Sequence, residues 1–144
     1  MQPLPIHRFP DPCLKHAARP VHRVDEEIRR FIEALIKTMR HHPRCVGLAA
    51  PQVGRDLRIA VMDASAHPKA TASHGLLVLV NPSLHPGEAT LVQREGCLSL
   101  PALIIPIERS KKVVVEGLDL EGKPIKLLGE DLLAVAFQHE IDHL

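Results

Sequence analysis

The spacing of apolar residues changes twice along this chain, and this limits the fold classes that the chain can adopt. Between Asp25 and His41 the spacing is helical, with apolar residues at Ile28, Phe31, Ile32, Leu35, Ile36 and Met39. Asp25 precedes them as a suitable N-cap, and Pro43 follows. The pattern therefore predicts an amphipathic helix that ends near His41 and packs its apolar face on the core.

Residues 44–127 instead contain short apolar runs separated by Pro, Gly and Asn. The runs are rich in Val, Ile and Leu and predict strands at Leu57–Met62, Leu76–Val80 and Lys112–Val115. The segment D-L-E-G-K-P at 119–124 predicts a hairpin turn, and helical spacing returns after Gly129. This order predicts an α+β fold, with antiparallel sheets packed around a C-terminal helix and one long N-terminal amphipathic helix.

The length of the chain predicts a single domain, 1–144, because 144 residues bury enough surface for one core. Five prolines lie within residues 1–23. They exclude a long helix there and predict an extended arm that lies on the domain.

Composition and charge exclude several classes of function. The chain has 18 Lys and Arg against 17 Asp and Glu, and it has 3 Phe but no Trp or Tyr. It therefore lacks the positive charge and the stacking aromatic side chains of a nucleic-acid-binding protein. The sequence shows neither a secretion signal nor an apolar run that could span a membrane. Three cysteines, at 13, 45 and 97, do not form a disulfide framework, so we expect a cytoplasmic protein.

The strongest local signal is Q-H-E-I-D-H at 138–143. On a helix, His139 and His143 project from the same face one turn apart, so both imidazoles can reach one metal ion. Glu140 is angled away from that face, where its carboxylate can contact a water on the ion without being a ligand. The alternative is a pair of solvated histidines at a helix end.

A catalytic site of the zinc type requires a third protein ligand, and Cys97 is the best candidate. Gly96 permits close backbone approach and Pro101 ends the segment, as expected of a strand or turn that presents a ligand. The alternative for a single cysteine is a small buried apolar residue.

A third segment, C-V-G-L-A-A-P-Q-V-G at 45–54, predicts a tight loop. Gly47 lets another backbone come near, and the Gln52 amide offers N–H donors to a cavity. The alternative is an ordinary turn of small residues packed against the first helix.

Together, V-G-L-A-A-P-Q, E-G-C-L-S and Q-H-E-I-D-H-L, in that order, resemble the three signature motifs of the peptide deformylases. The resemblance extends to Asp11-Pro12 with Leu14, to Asn81-Pro82 and to the turn at 119–124, so it covers nearly the whole chain. It implies a metal-dependent hydrolase that removes the N-formyl group from the initiator methionine of new polypeptides and releases formate.

The resemblance also implies a role for each motif residue. Cys97, His139 and His143 would bind the metal, Glu140 would act as general acid and base, and Gln52 with the Leu98 backbone N–H would hold the oxyanion. The residues expected to contact the substrate are Val46, Gly47, Gly96, Leu132, Val135 and Ala136. The last three share the face of His139 and are expected to line an apolar pocket for a methionine side chain.

The resemblance implies one divalent ion, Fe(II) in the cell, which Zn(II), Ni(II) or Co(II) can replace. The implied partners are formyl-methionyl nascent peptides, with neither nucleic acid nor a membrane.

Two other functions remain open. One is a catalytically weak deformylase-like metal-binding module whose site is closed by Cys13 or Cys45 as a fourth ligand, and the other is a metallopeptidase of the H-E-x-x-H type.

Three features differ from the usual family pattern. Cys45 stands where the first motif usually begins with Gly, and the apolar run Ala102–Ile105 is expected to alter the rim of the cleft. Family members also usually continue beyond H-E-x-D-H-L, whereas this chain stops at Leu144. The last difference predicts a final helical turn with exposed carbonyls and no following residues to anchor it, and it leaves a contact with the ribosome open.

Overall fold

The computed structural model describes residues 3–6, 17–42, 45–64, 75–97, 100–130 and 132–144, while the side chains of 91–97, 100–107 and Leu132 lie outside the description. The described elements, in chain order, are α1 (Glu26–His41), β1 (Gly47–Ala49), a 3-10 turn (Ala50–Val53), β2 (Ile59–Asp63), β3 (Leu76–Pro86), β4 (Thr90–Cys97), β5 (Leu100–Ser110), β6 (Lys112–Leu118), β7 (Pro124–Glu130) and α2 (Leu132–Asp142).

Helix α1 forms where the apolar spacing predicts it. The Asp25 carboxylate accepts a hydrogen bond from the Ile28 N–H at 2.9 Å, which satisfies one of the N–H groups that lack an intrahelical partner. Its apolar face, including Ile32 and Leu35, packs in one core cluster with Leu48 of β1 and Val61 of β2. The helix therefore covers one face of the sheet.

Five strands form an antiparallel sheet in the order β1-β2-β3-β6-β7. Together with the helices, this sheet confirms the predicted α+β class. The predicted strand at Leu57–Met62 begins later, at Ile59, because Leu57 pairs instead with Arg19 in an isolated parallel bridge. The other two predicted strands are longer in the structure, and β6 and β7 flank the predicted turn at 119–124.

Strands β4 and β5 form a separate antiparallel hairpin, which the sequence patterns do not predict. The prediction that Pro101 ends the Cys97 segment is wrong, because Pro101 is the second residue of β5. Pro106 also lies within β5, opposite Arg94. In a sheet of two strands each strand has a free edge, so a proline can occur without removing a ladder hydrogen bond.

The described parts of the N-terminal arm lie on the domain, as the prolines predict. The Leu4 N–H donates to Thr38 Oγ1 of α1 at 2.8 Å. The Asn81 side-chain amide makes two hydrogen bonds of 2.8 Å to the backbone N–H and carbonyl of Val21. Asn81 has φ 53° and lies where the β3–β6 register shifts, so the arm covers an irregular part of the sheet. Asp11-Pro12 and Leu14 lie outside the described residues.

Helix α2 is buried on several faces, whereas its sequence predicts a single apolar face. Residues 133–138 are all buried, and Phe137 belongs to a core cluster with Met62 and Val113 of the sheet. A Cβ atom on Gly129 of β7 would lie 2.6 Å from Phe137 Cδ2. The glycine therefore lets α2 approach β7 closely.

The N-terminal arm anchors the final turn after α2, so the prediction of an unanchored turn is wrong, as is that of exposed carbonyls for Ile141 and Leu144. The Ala18 N–H donates to the Leu144 carbonyl at 2.7 Å, and the Leu144 N–H donates to the Ile141 carbonyl. The Leu144 side chain is buried with Ala18, Ala49 and Ala60. No helix in the described part of the chain is long and apolar enough to cross a membrane.

Candidate metal centre

His139 and His143 of the α2 segment face one another. Their Nε2 atoms lie 3.3 Å apart, and the ring centroids are separated by 5.0 Å with an interplanar angle of 74°. Two imidazole nitrogens about 2.1 Å from one tetrahedral ion are themselves about 3.4 Å apart. The distance between the two nitrogens is therefore the one that a shared divalent ion requires.

The surroundings of His143 favour its neutral form. Burial lowers the pKa of His143 to about 4, and the neighbouring His139 acts in the same direction. Asp142 raises the pKa and Arg109 lowers it, both by smaller amounts. The imidazole is therefore neutral near pH 7, which is the form that binds a metal.

Glu140 is buried beside the backbone of β1. Its side chain and backbone are 4% exposed in total. A Cβ atom placed on Gly47 would lie 2.8 Å from both Cγ and Cδ of Glu140 and 2.9 Å from Oε1. Only a glycine leaves room for the carboxylate here, so the first and third sequence motifs meet at this contact.

Gln52 is placed by the 3-10 turn that follows β1. It is 2% exposed, and its Oε1 atom accepts a hydrogen bond from the Ala49 N–H at 3.0 Å. This bond fixes the rotation of the side-chain amide at the end of β1. The structure thus places Gln52 and Glu140 at the two ends of the three-residue strand β1, against Ala49 and Gly47 respectively.

Cys97 is the last residue of β4, and the β4–β5 register shifts between Gly96 and Cys97. The side chains of both residues, and Leu98 entirely, lie outside the description. Among the described side chains, no group of three His, Cys, Asp or Glu is arranged to hold a metal ion. Cys97 as third ligand and the Leu98 N–H as oxyanion donor therefore stay predictions.

The predicted substrate-contacting residues lie in several settings. Val46 is partly buried and packs against a core cluster that includes Ala136 of α2. Ala136 is 5% exposed. Val135 is also buried. The side chain of Leu132 and the apolar run Ala102–Ile105 lie outside the description, so the methionine pocket and the altered rim stay predictions.

Cys45 contacts the first motif directly. Its thiol donates to the Gly47 carbonyl at 3.0 Å, and its side chain packs on the cluster beneath α1. The Cys45 sulfur is therefore hydrogen bonded to the backbone of β1. Cys13, the other candidate for a fourth ligand, lies outside the described residues.

The sequence analysis did not assign a role to Gln138, although it lies within the third motif. Gln138 is 8% exposed, and its side-chain amide hydrogen bonds to both backbone groups of Ser110 in β5. Next to Ser110, Arg109 forms an ion pair with Asp142. The signal in the sequence that could have indicated these contacts is a glutamine that directly follows the apolar run 132–137.

Comparison with known proteins identifies many relatives of this chain. Residues 3–144 match the family described as Polypeptide deformylase. The peptide deformylase of Acidothermus cellulolyticus is 46% identical over 140 residues, which cover 97% of this chain and 73% of the relative.

Solved structures agree with this match. The crystal structure of peptide deformylase from Thermotoga maritima superposes with a TM-score of 0.90 at 39% identity, over 100% of this chain and 92% of that one. Peptide deformylase from Ehrlichia chaffeensis in complex with actinonin gives a TM-score of 0.93 at 33% identity, over 100% of this chain and 84% of that one.

Proposed function

This chain belongs to the peptide deformylase family, whose metal-dependent members remove the formyl group from nascent peptides, and we propose that His139, His143 and Glu140 are the centre of that activity here. The observation that carries the proposal is the 3.3 Å separation of the two Nε2 atoms, on a helical segment whose Glu140 is buried. Two convergent imidazoles and a buried carboxylate are the donor set of a hydrolytic metal centre.

His139 and His143 would hold one divalent ion, with the Cys97 thiolate at the end of β4 as third ligand. A thiolate and two imidazoles suit Fe(II), Zn(II), Ni(II) or Co(II), and Fe(II) is the ion we expect in the cell. When bound, the ion acidifies a water molecule and polarises the formyl carbonyl group.

Glu140 would move the protons of the reaction. It would accept a proton as water attacks the formyl carbon and then donate it to the departing amine, so that formate and a free N-terminal amine result. Its burial supports this role, because a carboxylate with little access to water exchanges protons with the substrate rather than with solvent. The contact with Gly47 restricts the position of the carboxylate, which follows His139 directly in sequence.

Gln52 would stabilise the negative charge that develops on the formyl oxygen. Since Oε1 of Gln52 accepts from the Ala49 N–H, the rotation of the amide is fixed and its N–H groups are preorganised. The Leu98 backbone N–H would be the second donor. One such donor contributes about 3–4 kcal/mol to the stability of the transition state.

The substrate would be a polypeptide that begins with formyl-methionine. Leu132, Val135 and Ala136 would contact the methionine side chain, while Val46, Gly47 and Gly96 would contact the peptide backbone. These substrates arise where proteins are synthesised, so we place the protein in the cytoplasm. We also include in this proposal that the protein contacts the ribosome.

The proposal is tested by assaying the anaerobically prepared Fe(II) protein on two substrates. We expect release of formate from a formyl-methionyl dipeptide and no cleavage of an N-acetylated oligopeptide that has no formyl group. Cleavage of the oligopeptide at internal bonds would instead identify a peptidase.

The ligand set is tested with matched cysteine variants. Cys97→Ala should lose the ion, whereas Cys45→Ser should keep one ion per chain, because the Cys45 thiol bonds to the Gly47 carbonyl. Full metal affinity in Cys97→Ala would contradict the assignment. Loss of the ion in Cys45→Ser or Cys13→Ser would indicate a closed metal-binding module.

A further inference from the structure

Gln138 connects α2 to the end of β5 through backbone hydrogen bonds. Its Oε1 atom accepts from the Ser110 N–H at 2.8 Å, and its Nε2 atom donates to the Ser110 carbonyl at 2.7 Å. The same Nε2 atom donates to the Ala134 carbonyl one turn earlier in α2, at 3.0 Å. The side chain of Gln138 thus pairs with Ser110 as a neighbouring strand would.

The residue before Ser110 makes a second connection to the same helix. Arg109, whose side chain is 10% exposed, forms an ion pair with Asp142. Adjacent residues of β5 therefore hold positions 138 and 142, which lie one turn apart on one stripe of α2. We call these four residues, Arg109, Ser110, Gln138 and Asp142, the β5 clamp.

The position of the β5 clamp relative to the histidines gives it a consequence for the site. Gln138 and Asp142 directly precede His139 and His143, so the clamped stripe and the imidazole stripe are one residue apart around the helix, which is about 100°. A helix held along one stripe cannot rotate about its axis. The directions of both imidazoles are then fixed relative to the β4–β5 hairpin.

We propose that Gln138 is a positioning residue for the metal centre, and that the β5 clamp sets the helix rotation at which the His139 and His143 Nε2 atoms converge. The proposal rests on the proposed function, since it takes these nitrogens as the ligands. Replacement of residues that orient the ligands without binding the metal typically lowers metal affinity by about 10- to 100-fold.

The test uses Gln138→Glu, which keeps the size of the side chain but replaces the donor to the Ser110 and Ala134 carbonyls with a carboxylate oxygen. Its matched control is Asn81→Asp. Asn81 makes the same paired hydrogen bonds, to Val21, and lies at the irregular part of β3 rather than on α2. Both variants thus lose the donor half of a backbone-pairing amide.

Both variants are compared with the unaltered protein by thermal unfolding, by Zn(II) affinity and by the absorption spectrum of the Co(II) form. We expect Gln138→Glu to weaken Zn(II) binding at least tenfold and to change the Co(II) spectrum. We expect Asn81→Asp to lower the melting temperature while it changes Zn(II) affinity less than twofold. Native affinity and spectrum in Gln138→Glu, or an equal loss in both variants, would overturn the proposal.

If Gln138→Glu does not fold, Asp142→Asn serves instead, because Asp142 is 63% exposed and the change removes only its charge. We expect a severalfold loss of Zn(II) affinity at an almost unchanged melting temperature, and native affinity would overturn the proposal.

Zn(II) binding by the unaltered protein distinguishes failure of this proposal from failure of the proposed function. If that protein binds no Zn(II), the ligand assignment is wrong, and the ring ¹⁵N shifts of His139 and His143 in Gln138→Glu still show whether the clamp orients them.

Discussion

Gly47 and Glu140 constrain one another through a direct contact. The Glu140 carboxyl group occupies the space that a side chain at position 47 would need, at 2.8 Å from its Cβ atom. Cβ atoms do not approach other heavy atoms this closely, so a larger residue must displace either β1 or the carboxylate. The identity of residue 47 therefore determines where the proposed proton carrier can lie.

We expect Gly47→Ala to lower kcat strongly and to destabilise the fold by about 1–3 kcal/mol, the usual cost of overpacking a buried site. Urea unfolding and steady-state kinetics measure the two effects. The control is the same change in a Glu140→Ala background, where the new methyl group has space and its cost should disappear. An equal cost in both backgrounds would show that this contact is not what limits residue 47.

We expect Glu140→Gln to keep one metal ion per chain and to lose kcat by about a hundredfold or more, because an amide cannot carry the proton. Metal analysis and formate release measure these properties. Glu88→Gln, at an exposed position of the chain, is the matched control and should have native activity. An active Glu140→Gln enzyme would exclude the proposed proton transfer.

At the scale of elements, the sequence predicts the helices and strands that form because of the local spacing of their apolar residues. Helix α1 matches its predicted N-cap and end because Asp25, the apolar stripe and Pro43 all act within a few residues of the helix. The β4–β5 hairpin is missed because Pro101 and Pro106 argue against strands, and only the pairing partner shows that they are tolerated.

The same limit applies to the candidate site. The i, i+4 spacing of His139 and His143 indicates their convergence, because both lie on one helical segment. The bonds of Gln138 to Ser110 join residues 28 apart and involve backbone groups of Ser110, so the sequence does not specify them. The contact between Gly47 and Glu140 is likewise visible only once β1 and α2 are packed together.

The packing of α2 on β7 depends on Gly129. A methyl group there would meet Cδ2 and Cε2 of Phe137 at 2.6 and 2.7 Å, and Phe137 is fully buried. We expect Gly129→Ala to destabilise the fold by about 1–3 kcal/mol and to weaken metal binding by shifting α2. Thermal unfolding and Zn(II) titration measure this.

The companion variant is Gly129→Ala with Phe137→Leu, in which the shorter side chain makes room for the methyl group. Part of the lost metal affinity should return, although removal of the ring has its own cost to stability. Unchanged Zn(II) affinity in Gly129→Ala would mean that the position of α2 is set elsewhere, for example by the β5 clamp alone.

At the scale of the whole molecule, segments distant in sequence meet around the end of α2. The Ala18 N–H bonds to the Leu144 carbonyl, and the next residue, Arg19, pairs with Leu57 beside β2. The N-terminal arm thus bonds both to the edge of β2 and to the final turn, which contains His143. Packing and hydrogen bonds hold this turn in addition to any metal bond.

The last prediction separates these two contributions by removing the metal. Ligand bonds that form only in the folded state add their binding free energy to stability, about 2.7 kcal/mol at a free metal concentration 100 times Kd. We therefore expect chelation to lower the melting temperature by roughly 5–10 °C. His143→Ala is the control, since a chelator should scarcely shift its melting temperature.

Hydrogen exchange locates this effect in the chain. The amides of 139–143 should exchange faster after chelation, while the Ala18 amide, which is hydrogen bonded to the Leu144 carbonyl, should stay protected. Equal exchange of 139–143 with and without metal would show that packing alone holds this turn, and faster exchange at Ala18 would show that the metal also holds the arm in place.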